Sequence, residues 1–223
     1  MFGRGGVKKS GPQRRRLAAA LRMLSVEGVN SDGAEEVYGE AAEKLEEVVK
    51  RLREQPRRMR RVGFRQGKEG FGRREFDFGM VDLSPVSGLA NPLAPPLRVQ
   101  RKEEKRAMGT VVFPGSVQTG AGFVHHGYVA ASVDEVFGAV LAWMGQPIMT
   151  GILDVRFLRP CPVEEEVRID GWVRRETGGA VFTEARVEVA AGPVAEANAV
   201  FFIVGEDQYK RFAEERNRKL LVG

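Results

Sequence analysis

The chain has 223 residues, 43% apolar and 29% charged, enough to bury one main core with extensions and ordinary for a soluble globular protein. No apolar run reaches the eighteen or so residues of a membrane span, and the basic N-terminus lacks the apolar stretch of a signal peptide. Cys161 is alone, which excludes an intrachain disulfide and fits a reducing, cytoplasmic location, and with His125 and His126 the only histidines a zinc site is not expected.

The net charge of +5 is unevenly placed. Residues 1–74 hold 19 Lys and Arg against 10 Asp and Glu, and the remainder holds 16 against 20. A basic N-terminal third suits contact with nucleic acid, a membrane surface or a phosphorylated ligand, or else is a solvated, partly disordered arm. Residues 1–13 read as mobile. A short helix is predicted from Arg14 to Glu27, with Leu17, Leu21 and Leu24 on one face. Asn30-Ser31-Asp32-Gly33 ends it. A longer helix from Ala34 to Glu54 carries the stripe Val37, Ala41, Leu45, Val48 and Leu52, which should pack on the core or on a partner subunit. No helix-turn-helix pattern is evident, so nucleic acid is not an expected partner. Pro56 to Gly72 reads as a basic connection.

Phe76 to Pro96 contains Pro85, Pro92, Pro95 and Pro96, which break helix and strand alike, yet its apolar content predicts an ordered loop. Strand signals dominate from Leu97, with a short strand at Gly109–Phe113. The loop Pro114–Gly122 then enters the segment on which the reading turns.

From Val129 to Met144, apolar residues recur at helical spacing on nearly every side, which describes a helix buried all round. Between His126 and Leu153 the only charges are Asp134 and Glu135. A carboxylate inside such a helix must be paired or used. Gly127 and Asp134 are seven residues apart, about two turns, and share a face. A carbonyl polarised at the His-His-Gly helix start, where free N–H groups and the macrodipole favour negative charge, would lie along that face. The plainer alternative is that Asp134 caps or pairs locally, at a subunit contact for example. Glu135 points about 100° away on the helix and reads as an ion-pair partner.

Gly145-Gln146-Pro147 should stop this helix. Strands come next at Met149–Leu158, with Thr150, Ile152 and Asp154 facing opposite to Gly151, Leu153 and Val155, then at Glu166–Arg175, Ala180–Ala190 and Val194–Val204. Turns are expected at Gly178-Gly179 and Gly192-Pro193. A charged helix closes the chain from Asp207 to Leu220. The order is two strands, one long apolar helix and four strands, an α+β arrangement of antiparallel strands around a buried helix.

Val124-His125-His126-Gly127 followed by Asp134 resembles the hot-dog fold acyl-CoA thioesterases of the phenylacetate-pathway type, closest to the thioesterase-superfamily-member branch and its actinobacterial-like relatives. That family has His-Gly-Gly with an acid nine positions after the His, as from His125 to Asp134. His126 stands where the first glycine is usual. Met149 to Pro160 resembles the family's strand ending in a basic residue and proline, and Ser87 to Pro96 its Gly-x-x-Asn-Pro approach loop. Ala195-Glu196-Ala197 leading to Phe201-Phe202-Ile203 also fits, so the resemblance covers roughly 80–205.

The resemblance implies a hot-dog domain over 76–206, with a basic helical extension at 1–75 and a C-terminal helix at 207–223. It implies hydrolysis of acyl-CoA thioesters with no cofactor beyond the substrate's own CoA, a place in fatty acid metabolism, and a homodimer or dimer of dimers with the site between protomers. Asp134 would be general base or nucleophile, the Gly127 N–H the oxyanion donor, His125 an orienting or donating group, and Thr150 a positioner of Asp134 or water. The acyl chain would pass between the helix and the Asn91 loop, with His126 shaping the entrance, and Arg156, Arg159 or Arg174 would meet the CoA phosphates. Two other classes stay open: a non-catalytic acyl-CoA sensor, and a hydratase or dehydratase, against which the His-x-Gly helix start argues.

Overall fold

Apolar spacing in the middle of the chain resolves into one helix lying on a sheet. The computed structural model describes residues 10–56, 82–142 and 148–205, with single positions at 207, 208, 211, 214 and 215. Residues 1–9, nearly all of the Pro56–Gly72 connection, Phe76–Val81, the Gly145-Gln146-Pro147 stop, much of the C-terminal helix and the boundary at 75/76 lie outside the described residues.

Helix α1 runs Pro12–Asn30, with the proline in its first turn where no N–H is required, and α2 runs Glu35–Arg53. Acids in the first turn of α2 and bases in its last complement its dipole. Of the two covers expected for its apolar stripe, this chain's core or a partner subunit, the first is not found among the described residues. No residue of α2 is buried, and Val37, Val48 and Leu52 are exposed. Helical spacing fixes which residues share a stripe and leaves open what covers it.

Strands β1 (Arg98–Glu103) and β2 (Arg106–Val112) form a hairpin turning at Glu104-Lys105. Helix α3 (His126–Ala142) comes next, then β3 (Ile148–Phe157), β4 (Glu166–Thr177), β5 (Ala180–Val189) and β6 (Gly192–Ile203). The described strands make one antiparallel sheet of order β1-β2-β4-β5-β6-β3. Alternation fixes its inner face: Ala195, Ala197, Ala199 and Phe201 of β6 are buried in step with Val181, Ala185 and Val187 of β5. The turn before β6 falls at Ala190-Ala191, so Gly192 and Pro193 open the strand instead of forming the turn expected of them.

Helix α3 lies across the inner face, and the contact is close because two facing positions carry no side chain. A Cβ on Gly109 would stand 2.6 Å from Val136 Cγ2, and one on Gly171 3.0 Å from Val136 Cγ1. Phe137, fully buried beside Val136, meets Phe201 edge-to-face at 5.9 Å. Replacing Phe137 by Ala should lower unfolding free energy by about 3–5 kcal/mol, read as a fall in the urea midpoint at unchanged slope.

Candidate active site at the start of helix α3

The chain reaches α3 through a turn in which Gly120, Ala121 and Gly122 all have positive φ, at 112°, 52° and 77°. Ala121 pays a conformational penalty that glycine would not. Two backbone bonds fix the approach to the helix: Val124 N–H to the Cys161 carbonyl at 2.8 Å, and His125 N–H to the Val117 carbonyl at 2.9 Å. His125 then caps the helix, its Nδ1 accepting the Gly127 N–H at 3.1 Å. An accepting Nδ1 places the ring proton of a neutral histidine on Nε2. The Gly127 N–H expected to face a carbonyl is thus engaged by His125. Its neighbour one residue earlier, the His126 N–H, has no acceptor set against it among the described residues. The His126 ring stacks on Phe157 of β3, with centroids 4.1 Å apart and planes 18° apart.

Helix α3 is not buried all round. Val129, Val133, Val136, Phe137 and Val140 are buried against the sheet, whereas Gly127, Gly138 and Ala142 are exposed and Asp134 and Glu135 half-buried. Gly127 and Asp134 therefore share an open stripe. Thr150 donates its hydroxyl to Asp134 Oδ1 at 3.1 Å. Simple alternation would put Thr150 on the face opposite Leu153 and Val155. The register slips between Thr150 and Ile152, so Gly151 is an extra residue, and Thr150 pairs with buried Phe201 as Leu153 pairs with buried Ala199. This bulge turns Thr150 to the helix side. Burial pushes the Asp134 pKa up, the Thr150 hydrogen bond opposes that, and the charge of Glu135 adds to it.

Among the described residues Glu135 has no ion-pair partner, and serine hydroxyls take the place expected of a cation. Its Oε1 accepts the Ser84 hydroxyl at 2.6 Å and the Ser87 hydroxyl as well. These two serines, in the sequence Ser84-Pro85-Val86-Ser87, went unread as site residues, although hydroxyls beside a turn proline near a lone acid pair were the available signal.

The remaining candidates do not converge on Asp134. The Asn91 carboxamide closes its own loop, donating to the Leu83 carbonyl at 3.0 Å and accepting from the Leu93 N–H at 3.0 Å. Arg156 pairs with Glu196 at 2.5 Å on the outward face of β3, and Arg174 pairs with Glu184. Arg159 differs: its Nε and Nη2 are buried beside Gly192 with no acceptor among the described residues.

Residues 121–196 match the family model described as thioesterase superfamily. A solved thioesterase superfamily protein aligns over 88% of this chain and 93% of its own, at 26% identity and a TM-score of 0.72. The core has the hot-dog fold of that solved protein, and its central segment is similar to the thioesterase superfamily. The E. coli PaaI protein from the phenylacetic acid degradation operon aligns over 49% of this chain and 80% of its own, at 16% identity and a TM-score of 0.47. A Streptococcus mutans protein bound to acetyl CoA aligns over 49% and 89%, at 20% identity and a TM-score of 0.46. The search of curated proteins found no match. Among the described residues no helix is long and apolar enough to cross a membrane. The matched segment of the hot-dog domain includes the His125 cap, Asp134 and Thr150.

The raised pKa of Asp134 has a consequence for stability. The native chain binds this proton more tightly than the unfolded chain, so ionisation at Asp134 destabilises the fold as pH rises from the ordinary carboxylate value through the folded one. Asp134→Asn should therefore raise Tm at neutral pH, the gain vanishing in acid below the ordinary range. Thr150→Val, which removes the bond holding the pKa down, should lower neutral Tm. A Tm-against-pH series on the three proteins checks both signs.

Proposed function

We propose that the protein hydrolyses acyl-CoA thioesters, with Asp134 as the group that activates water or attacks the thioester. The observation that carries this reading is the Thr150–Asp134 hydrogen bond on the open stripe of α3, within the segment matched to the thioesterase superfamily. The hydroxyl occupies Oδ1 and leaves Oδ2 to take a proton. As water adds to the thioester carbon, its proton passes to Asp134, and negative charge gathers on the carbonyl oxygen. The start of α3 supports that charge through the His126 N–H, and through Gly127 once the His125 ring turns aside. Collapse of the tetrahedral adduct breaks the C–S bond, and the CoA thiolate takes a proton as it leaves. If Asp134 attacks instead, an acyl anhydride forms and water then cleaves it.

Of the three arginines considered for the CoA phosphates, Arg156 and Arg174 already hold carboxylates. Arg159 has buried donors with no acceptor among the described residues, a costly state that an anion would relieve. The reading also includes a second protomer. Strand β3 is an edge of the described sheet, with Met149 and Ile152 exposed beside Thr150, and an open edge of this length invites pairing with a copy of itself.

The site equally admits a module that binds acyl-CoA without cleaving it. What favours that alternative is the Gly127 N–H already engaged by His125, together with His126 in place of glycine.

The test is free-thiol release from short, long and aromatic acyl-CoAs. Asp134→Ala should reduce turnover by about 10²–10⁴, the range for loss of a general base. Arg159→Ala should raise KM for CoA esters and leave hydrolysis of a truncated thioester, lacking the nucleotide, unchanged. Binding of acyl-CoA without thiol release from any member would transfer the case to the sensor.

A further inference from the structure

The basic N-terminal third is not a solvated arm in its α1 segment. Asp82, 5% exposed, accepts the Ser10 N–H at 2.8 Å on Oδ2 and the Arg15 Nε–H at 3.0 Å on Oδ1, with Arg15 Nη2 in ion-pair contact with the same oxygen at 3.0 Å. Arg22, two turns further along α1, donates Nη1 to the Asn91 carbonyl at 2.8 Å. Both contacts fall on the loop Asp82–Leu97, which is folded on itself by Ala90 N–H to the Asp82 carbonyl at 2.9 Å and by the Asn91 side chain. The opposite side of that loop hangs from Glu135 through Ser84 and Ser87, one residue from Asp134.

The far end of α1 reaches a second segment. Asn30 accepts from Gln118 Nε2 at 3.4 Å and packs against Gly115, where a Cβ would stand 3.1 Å from its Nδ2. That short turn carries Val117, whose carbonyl holds the His125 N–H. From Arg15 to Asn30 a helix spans about 22 Å. One rigid rod thus joins the loop attached beside Asp134 to the turn attached to His125. The solved thioesterase superfamily protein aligns over 88% of this chain, beyond the hot-dog core, so the likeness takes in part of the N-terminal region.

We infer that α1 is a brace for the active site. Arg15 and Arg22 are positioning residues that hold the Asp82–Leu97 loop where it borders the acyl group of the bound thioester. They touch the loop and leave the reacting atoms to Asp134 and the start of α3. The inference rests on the thioesterase reading for its kinetic part, while the brace itself has a readout that needs no substrate.

The experiment compares full-length wild type with Arg15→Ala/Arg22→Ala and with Arg22→Lys, all checked by circular dichroism for intact fold. Amide hydrogen exchange should accelerate about tenfold or more within 82–97 of the double variant, with β4 and β5 unchanged. KM for acyl-CoA should rise about tenfold, kcat should stay within about twofold, and the pH profile should not move. Arg22→Lys, which keeps a donor for the Asn91 carbonyl, should stay near wild type in both readouts. Unchanged exchange in 82–97 overturns the brace. Faster exchange with unchanged KM overturns its link to substrate. Failure of wild type to bind or cleave any thioester is a different result: it removes the functional reading, and the kinetic part with it, whatever the exchange shows.

Discussion

Everything at the site depends on how closely α3 approaches the sheet. Val136 rests over Gly109 of β2 and Gly171 of β4, where any side chain would collide with it, and this contact fixes both the height and the rotation of the helix. With Val136 and Phe137 pinned inward, Asp134 lies three residues before Phe137, about 60° round the axis. It stands at the border of the buried face instead of within it. Half-burial is the result, and half-burial is what lifts its pKa while leaving one carboxylate oxygen approachable.

The same constraint explains which features were legible in the sequence. Eight buried positions of α3 keep helical spacing, and the strands keep alternation, so element order and the inner face could be read directly. Position on a face could not be read where alternation breaks. The run Thr150-Gly151-Ile152-Leu153 continues in step by its residues, yet the ladder slips there and reverses the face of Thr150. A glycine within a strand pattern is the only local sign of such a bulge. The spacing from His125 to Asp134 located the helix start but not its hydrogen bonds. Whether an N–H is free or capped depends on a side-chain torsion of His125, which spacing does not encode.

Charge was legible in total and not in use. An excess of bases in the first third describes a potential, and a potential is the same whether its arginines face solvent or a single buried acid. Arg15 finds Asp82 at 67 residues' separation and Arg22 finds a backbone carbonyl at 69, pairings that local pattern does not carry. The stripe of α2 shows the converse case. Its spacing was read correctly as helix, and the expected cover on this chain is absent among the described residues.

Asp134 and Glu135 are adjacent, identical in charge and both half-buried, yet the fold sets them to different tasks. Glu135 receives two hydroxyl donors on one oxygen, which fix its carboxylate in place and make it an anchor for the loop. Among the described residues Asp134 receives one donor, at 3.1 Å, against burial and against the negative charge next to it. A fixed negative charge beside a carboxylate raises its proton affinity, and the two serines hold that charge where it acts. The loop contacts therefore act on Asp134 twice: they place a wall beside it, and they hold in place the charge that helps keep its pKa raised.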